Sequence, residues 1–156
     1  MSQWTAITAL QAELNRVNEN IESSLRQIKI VRDKIDELTN KIKQYENMIN
    51  GLNSASSKAN NAQSNANLSV NLFNLLGSSN SLGKCIDSIT SISERISSII
   101  SSIKTAIESA TKKKLELEEE KNKYLKEEEI LSNHIQSLYE AERNLSSQIE
   151  QLKSSL

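Results

Sequence analysis

The chain carries two apolar stripes of helical period, in two arms of equal length that meet at one Gly/Ser/Asn segment. The arms, 4–76 and 84–156, each contain 73 residues, and the segment 77–83 lies between them. Apolar residues recur in both arms at steps of three and four, with an average near 3.5, which is the period of coiled coils. A helix with one such stripe has to bury it against another helix. The sequence therefore predicts an all-α fold, a long antiparallel helical hairpin that forms a single domain over residues 1–156.

The composition fits this fold and leaves little material for a β-sheet or a thick globular core. Charged residues make up 25% of the chain and aromatic residues 3%, and there are three glycines and no proline. Both charges are interspersed and the formal net charge is -1, so no basic face predicts a nucleic-acid partner. A single cysteine, Cys85, excludes an internal disulfide framework. We therefore expect a helical protein that acts through contacts with other proteins.

The second arm gives the stronger evidence for one continuous helix, because its three-four register does not slip from Ile86 to Leu156. One of its two columns has no polar member and is predicted to form the seam of the hairpin. The predicted seam residues are Ile89, Ile96, Ile103, Leu117, Leu131, Leu138, Leu145 and Leu152, with Ala110 and Tyr124 in the same column. Pairing the arms about Asn80, so that partner numbers add up to roughly 160, places apolar residues of both arms side by side.

The first arm is predicted to be less regular beyond Gly51. Its large apolar residues give way there to alanines at steps of three and four, namely Ala55, Ala59, Ala62 and Ala66. A glycine inside a helix costs about 1 kcal/mol relative to alanine, and the Asn/Ser-rich run 60–67 forms helix poorly. The sequence therefore predicts a kink, a frayed stretch or a break between Gly51 and Asn61.

The hairpin end near the turn is uncharged and apolar, unlike the rest of the chain. Between Gly51 and Gly83 the only charged residue is Lys58, and Gly77 and Gly83 are the predicted turn glycines. Apolar residues cluster beside this turn, namely Leu68, Val70, Leu72, Phe73, Leu75, Leu76 and Leu82. Four of them fall within five residues and cover most of a helical circumference, so they cannot all face the other arm. We expect them either to cap the turn locally or to dock onto a helical partner.

The sequence offers no constellation of residues for catalysis or for holding a cofactor or a metal. His134 is the only histidine and lies mid-helix, where a solvated or packed side chain is expected. Consecutive carboxylates, in 118–120 and 127–129, point about 100° apart on a helix and do not converge on one atom. No phosphate-binding loop, dinucleotide fingerprint, nucleophile elbow or CxxC motif occurs. We therefore expect no enzymatic activity.

A proline-free helical hairpin with a Gly-containing reversal resembles the WXG100-like superfamily of type VII secretion substrates. Its length and charged arms look more like the small helical proteins encoded beside LXG toxins. The resemblance covers the whole chain loosely, and the turn departs from the family pattern, because Leu75-Leu76-Gly77 and Leu82-Gly83 stand in place of Trp-x-Gly. It implies a bacterial targeting factor or chaperone that binds the helical LXG domain of a toxin, often with a second small helical protein.

Tyr124 and Glu128 match the Tyr-xxx-Glu pattern that such partners use as a secretion signal. Tyr124 is also a member of the seam column, opposite Ile35. The first 25 residues are interrupted by charges and form neither a signal peptide nor a transmembrane span. We therefore expect a cytoplasmic protein, with export that needs no cleaved signal peptide as the alternative.

Two other classes of protein would carry the same stripes. A structural coiled-coil protein would self-associate into a homodimer or tetramer without a second gene product. A membrane-active toxin component would insert the segment 68–76, although this segment is too short and too polar to span a bilayer alone. The secretion partner is preferred because a freely solvated hairpin end would carry charge between Gly51 and Gly83.

Overall fold

The computed structural model describes residues 2–77 and 79–156. It contains two α-helices, α1 at Gln3–Leu75 and α2 at Asn80–Ser154, which account for almost all of the described chain. No β-strand occurs in the described residues. The two helices pack against each other, so the predicted all-α helical hairpin is confirmed.

The chain divides into two compact units, and each contains one stretch of α1 and one stretch of α2. Unit 1 consists of the residues up to Thr39 together with Glu118–Leu156. Unit 2 is the single segment Asn40–Leu117, which includes the connection between the helices.

Side chains that bond from one helix to the other define the antiparallel register in both units. Four such pairs are Arg32–Glu128 in unit 1 and Glu46–Lys114, Gln63–Ser97 and Asn67–Ser93 in unit 2. The two residue numbers add up to 160 in all four pairs, which is the pairing that the sequence predicts. The equal lengths of the arms therefore reflect residues that lie side by side.

Burial follows an uninterrupted heptad repeat in both helices, with positions a and d at the seam. Positions a and d begin at Ile7 and Leu10 in α1, and at Ile86 and Ile89 in α2. The buried apolar residues of α1 are Ile7, Val17, Ile21, Ile28, Val31, Leu38 and Ile42. Those of α2 are Ile100, Ala110, Leu117, Ile135 and Ile149. Both columns of α2 therefore contribute to the core, including the column that also holds polar residues.

The apolar stripe of α1, followed in steps of three and four, passes through Leu25, but the structure places this residue one position away from the seam. This side chain is 43% exposed, and Ser24 occupies the buried d position, where it is 6% exposed. The cause is the regular repeat of long apolar residues on both sides, at Ile21 and Ile28. Shifting the register to bury Leu25 would expose those neighbours, so the helix carries a serine in the seam instead.

The alanine run of α1 differs from the prediction in the same way. Ala59 and Ala66 are half-buried at d positions, whereas Ala55 and Ala62 are exposed. The intervening a positions are Ser56 and Gln63, which are half-buried. Two of the four alanines, Ala59 and Ala66, therefore lie in the seam, and the other two, Ala55 and Ala62, lie outside it.

The helix α1 runs without interruption through Gly51–Asn61, so the predicted break and the predicted frayed stretch are both wrong. Leu52, Ser56 and Ala59 remain half-buried through this stretch. Their packing against α2 offsets the cost of about 1 kcal/mol that glycine introduces, because tertiary contacts supply most of a protein helix's stability.

The connection between the helices is shorter than the predicted turn of residues 77–83. Gly77 has φ +93°, in the left-handed region that favours glycine, and it follows the end of α1. Ser79 then caps α2: its Oγ accepts a hydrogen bond from the backbone N–H of Leu82 at 3.2 Å. Because α2 begins at Asn80, Gly83 and Leu82 lie in its first turn rather than in the connection.

Candidate partner-binding surface

The structure divides the predicted tip cluster into two groups by the direction in which the side chains point. Val70, Phe73 and Leu82 are half-buried. Val70 and Phe73 occupy the a and d positions of α1 and continue the seam toward the turn. These three residues form the local cap that the sequence allowed as one alternative.

The second group is exposed and lies on the outward side of α1. Leu68, Leu72 and Leu75 are 60%, 62% and 83% exposed and occupy positions f, c and f, away from the seam. Their spacing of i, i+4 and i+7 places them in one row along the helix. We call these three residues the leucine stripe. Leu76, which follows the end of α1, is 71% exposed.

The leucine stripe has the geometry by which a helix docks against another helix. Apolar residues at i, i+4 and i+7 supply the contacts by which amphipathic helices bind apolar grooves. A single exposed leucine is ordinary on a protein surface, but three in one row form a contiguous patch. The nearest side chains in the outward columns are Asn61, Asn65 and Asn71, so the row continues without charge as far as Asn61, one turn before Lys58. The stripe is therefore suited to a partner surface that is also apolar and uncharged.

The residues of the predicted secretion signal lie at the seam of unit 1. Tyr124 is half-buried at a d position. Glu128 is half-buried at the next a position, and its Oε1 accepts a hydrogen bond from Arg32 Nε at 2.6 Å. Both residues of the Tyr-xxx-Glu pattern therefore contribute to packing between the helices.

The structure places the predicted seam column at d positions along the whole of α2. Leu117 is buried, at 8% exposure. The others are half-buried, namely Ile89, Ile96, Ile103, Leu131, Leu138, Leu145 and Leu152. A layer of only two helices leaves one side of most seam residues uncovered, which explains why so few reach full burial.

Two ion pairs within single helices shift pKa values, and both are exposed. The pKa of Lys34 is raised because its Nζ donates a hydrogen bond to Glu37 Oε2 at 3.1 Å and is attracted by that charge. The pKa of Glu116 is lowered because Lys113 Nζ donates to its Oε2 at 3.0 Å and adds a nearby positive charge. These are ordinary effects of solvated neighbours on a helix.

Sequence reasoning found the tip cluster but did not separate its two groups. The signal that separates them is the heptad register carried forward from Ile7, which assigns Val70 and Phe73 to the seam and the leucine stripe to the outward face. No family model, curated protein or solved structure matches the chain. Within the described residues, neither helix contains a segment sufficiently long and apolar to cross a membrane.

Proposed function

We propose that this chain is a non-enzymatic adaptor that binds the helices of a larger protein through its leucine stripe. The client we propose is a type VII secreted toxin of the LXG type, whose helical N-terminal domain packs against unit 2. The chain then serves as the toxin's targeting factor or chaperone, with a second small helical protein as a further member of the complex. The toxin class rests on the resemblance of the sequence.

The observation that supports binding is the exposure of Leu68, Leu72 and Leu75. Each apolar side chain that moves from water into an interface contributes about 1.5 to 3 kcal/mol when it becomes fully buried. Given their exposure, the three leucines together contribute roughly 3 to 6 kcal/mol, whereas association costs about 4 to 15 kcal/mol, so contacts beyond the stripe have to supply the rest of the affinity.

The half-buried seam favours a second candidate function, a structural coiled coil that associates with copies of itself. Residues such as Leu138 and Leu145 would gain burial from any further helix, including one from another copy. The two candidates differ in what covers the leucine stripe, which is a different protein in the first and an identical chain in the second.

The proposal is tested by affinity capture of the tagged full-length chain from its native organism, with mass spectrometry of the bound proteins. We expect a stoichiometric larger protein with a helical N-terminal domain. The triple variant Leu68→Asp, Leu72→Asp, Leu75→Asp should lose that protein and keep its helicity by circular dichroism, because the three side chains lie outside the seam.

The control is Ile130→Asp, which places one aspartate at an apolar site that is 68% exposed in unit 1. The control variant should retain the client. Retention of the client by the triple variant, or capture of nothing but the chain itself, would reject the adaptor function.

A further inference from the structure

A second exposed apolar surface runs along one side of the seam in unit 2. It is formed by g positions of both helices, which neighbour the seam on the side opposite to the e positions. Its members are Met48, Ala55 and Ala62 of α1 and Ile92, Ile99 and Ala106 of α2, all exposed. We call these six residues the apolar flank. Met48, Ile92 and Ile99 are 52%, 51% and 53% exposed, so each retains about half of its surface for a contact.

The two helices contribute to this surface together. Met48 and Ala106 line one open groove of about 470 Å³ together with the buried Ala110 and the charged residues Lys113 and Glu116. The g positions of antiparallel helices adjoin each other across the seam. Ala55, Ala62, Ile92 and Ile99 therefore lie on the same side of the seam as this groove, between it and the turn. Fourteen residues separate Met48 from Ala62 and Ile92 from Ala106, which corresponds to about 21 Å of helix.

The opposite side of the same seam is polar. The cross-helix pairs of unit 2 join e or a positions, as in Asn67 with Ser93 and Glu46 with Lys114. A second groove on that side is lined by Asn67, Asn71, Thr90, Ser93, Glu94 and Ser97 together with Val70. One side of unit 2 is therefore bonded across the seam by polar groups, and the other presents apolar groups to solvent.

Charge is also distributed unequally between the two sides. Lys58 and Arg95 are exposed at c positions, which border the g positions, and Lys113 lies in line with the flank. The acidic residues of α2 between the turn and Ser109 are Asp87, Glu94 and Glu108, all at b positions on the polar side. Glu116 also lies at a c position on this side, and its ion pair with Lys113 offsets both charges, so Lys58 and Arg95 make up the basic excess. The rim of the apolar flank is therefore basic.

We propose that the apolar flank binds an amphipathic helix of a partner protein whose apolar stripe is bordered by acidic side chains. Apolar contacts with the two isoleucines would supply the affinity, and Lys58 and Arg95 would select for carboxylates beside the stripe. The inference rests on the proposed function, since it names a second contact surface and the kind of helix that occupies it.

A second copy of the chain fits this surface poorly. Unit 2 of a second copy would bring the same basic rim, so Lys58 and Arg95 would meet like charges. In unit 1 the corresponding g positions include Glu13, Lys34, Glu120 and Glu127, so that unit offers no apolar row to match. An acidic helix from another protein satisfies both the apolar and the electrostatic requirement.

The test uses two synthetic helical peptides of three heptads. Both carry the same row of leucines, which is bordered by glutamates in one peptide and by lysines in the other. Binding to the full-length chain is measured by fluorescence anisotropy. We expect the acidic peptide to bind at least about tenfold more tightly than the basic one, with a preference that decreases as salt is raised. Lys58→Glu with Arg95→Glu should reverse the preference.

The apolar contact is tested by the double variant Ile92→Asn with Ile99→Asn, which should lower the affinity for the acidic peptide at least about tenfold. Both side chains are more than half exposed, so the fold is expected to be retained, and Ile130→Asn is the matched control on the same helix. Equal affinity for the two peptides, binding to neither, or unchanged binding by the double variant would overturn the inference. So would a homodimer in light scattering that the double variant dissociates.

These results are separable from the test of the proposed function, because the leucine stripe and the apolar flank share no residue. A client that is lost only by the leucine-stripe variant would support the adaptor function, whatever the peptides do. Failure of both peptides to bind would reject the apolar flank as a binding surface and would leave the proposed role of the leucine stripe unaffected.

Discussion

At the scale of single residues, the three glycines have different roles although they look alike in the sequence. Gly77 has φ +93° and ends the turn after α1 in a conformation that side chains rarely adopt. Gly51 and Gly83 lie inside helices, where a methyl group would meet no atom within 4 Å. The first is required by the backbone, and the other two only weaken their helices.

We predict opposite effects of alanine at these positions. Gly77→Ala should destabilise the protein by about 1 to 2 kcal/mol, because alanine is strained at positive φ. Gly51→Ala and Gly83→Ala should each stabilise it by about 0.5 to 1 kcal/mol, because alanine favours helix. Urea unfolding followed by circular dichroism measures all three, and a stabilising Gly77→Ala would contradict the observed turn.

The ion pairs predict a small dependence of stability on pH. The folded-state pKa of Glu116 is lowered from its ordinary value of 4.5, so its stabilising contribution is present above that pH and is lost as pH falls through the folded-state pKa. The pKa of Lys34 is raised from 10.5, so its contribution to stability is present below pH 10.5 and is lost as the pH rises through the folded-state pKa. Glu116→Gln should therefore lower the midpoint of thermal unfolding slightly at pH 7 and by less at pH 3. An equal effect at both values would show that the carboxylate's charge is not involved.

At the scale of the helices, the sequence determines the fold and the pairing well and the details of α1 less well. Long apolar residues at a strict three-four spacing leave one way to form a seam, so the pairing of α1 with α2 about Asn80 could be predicted. Alanines give no such guidance, because Ala55 and Ala62 fit an exposed face as easily as a seam. Their positions follow only from the register of the larger residues before and after them.

This register predicts unequal effects of glutamate in the alanine run. Ala59→Glu should destabilise the chain by about 1 to 3 kcal/mol, because it places a charge in the seam among apolar groups. Ala62→Glu should leave stability within about 0.5 kcal/mol of the wild type, because its side chain points to solvent. Equal losses for the two variants in denaturant unfolding would contradict the observed heptad positions.

The position of Tyr124 gives a prediction about its role. Because its ring packs at a d position, Tyr124→Ala should cost about 1 to 3 kcal/mol in unfolding measurements. Any loss of export should then accompany this loss of stability, and Tyr124→Phe should restore both. A variant that folds with wild-type stability and is not exported would assign the tyrosine to a secretion signal.

At the scale of the whole molecule, the two units differ in net charge. Unit 1 contains ten basic and fifteen acidic residues, whereas unit 2 contains nine basic and five acidic residues. The uncharged stretch around the turn could be read from the sequence, but the sidedness of unit 2 could not. Residues of the apolar side, at g positions, and of the polar side, at e positions, follow each other within every turn of one helix. Only the pairing of the two helices brings the g positions of both onto one side.

The adaptor function requires the leucine stripe of unit 2 to bind a different protein. The most direct test is light scattering of the purified chain alone and after co-expression with its captured client. We expect the mass of a single chain in the first sample and of a heteromeric complex in the second, which the Leu68→Asp, Leu72→Asp, Leu75→Asp variant fails to form. A homo-oligomer of the chain alone that the same variant dissociates would rule out the adaptor function and assign the stripe to self-association.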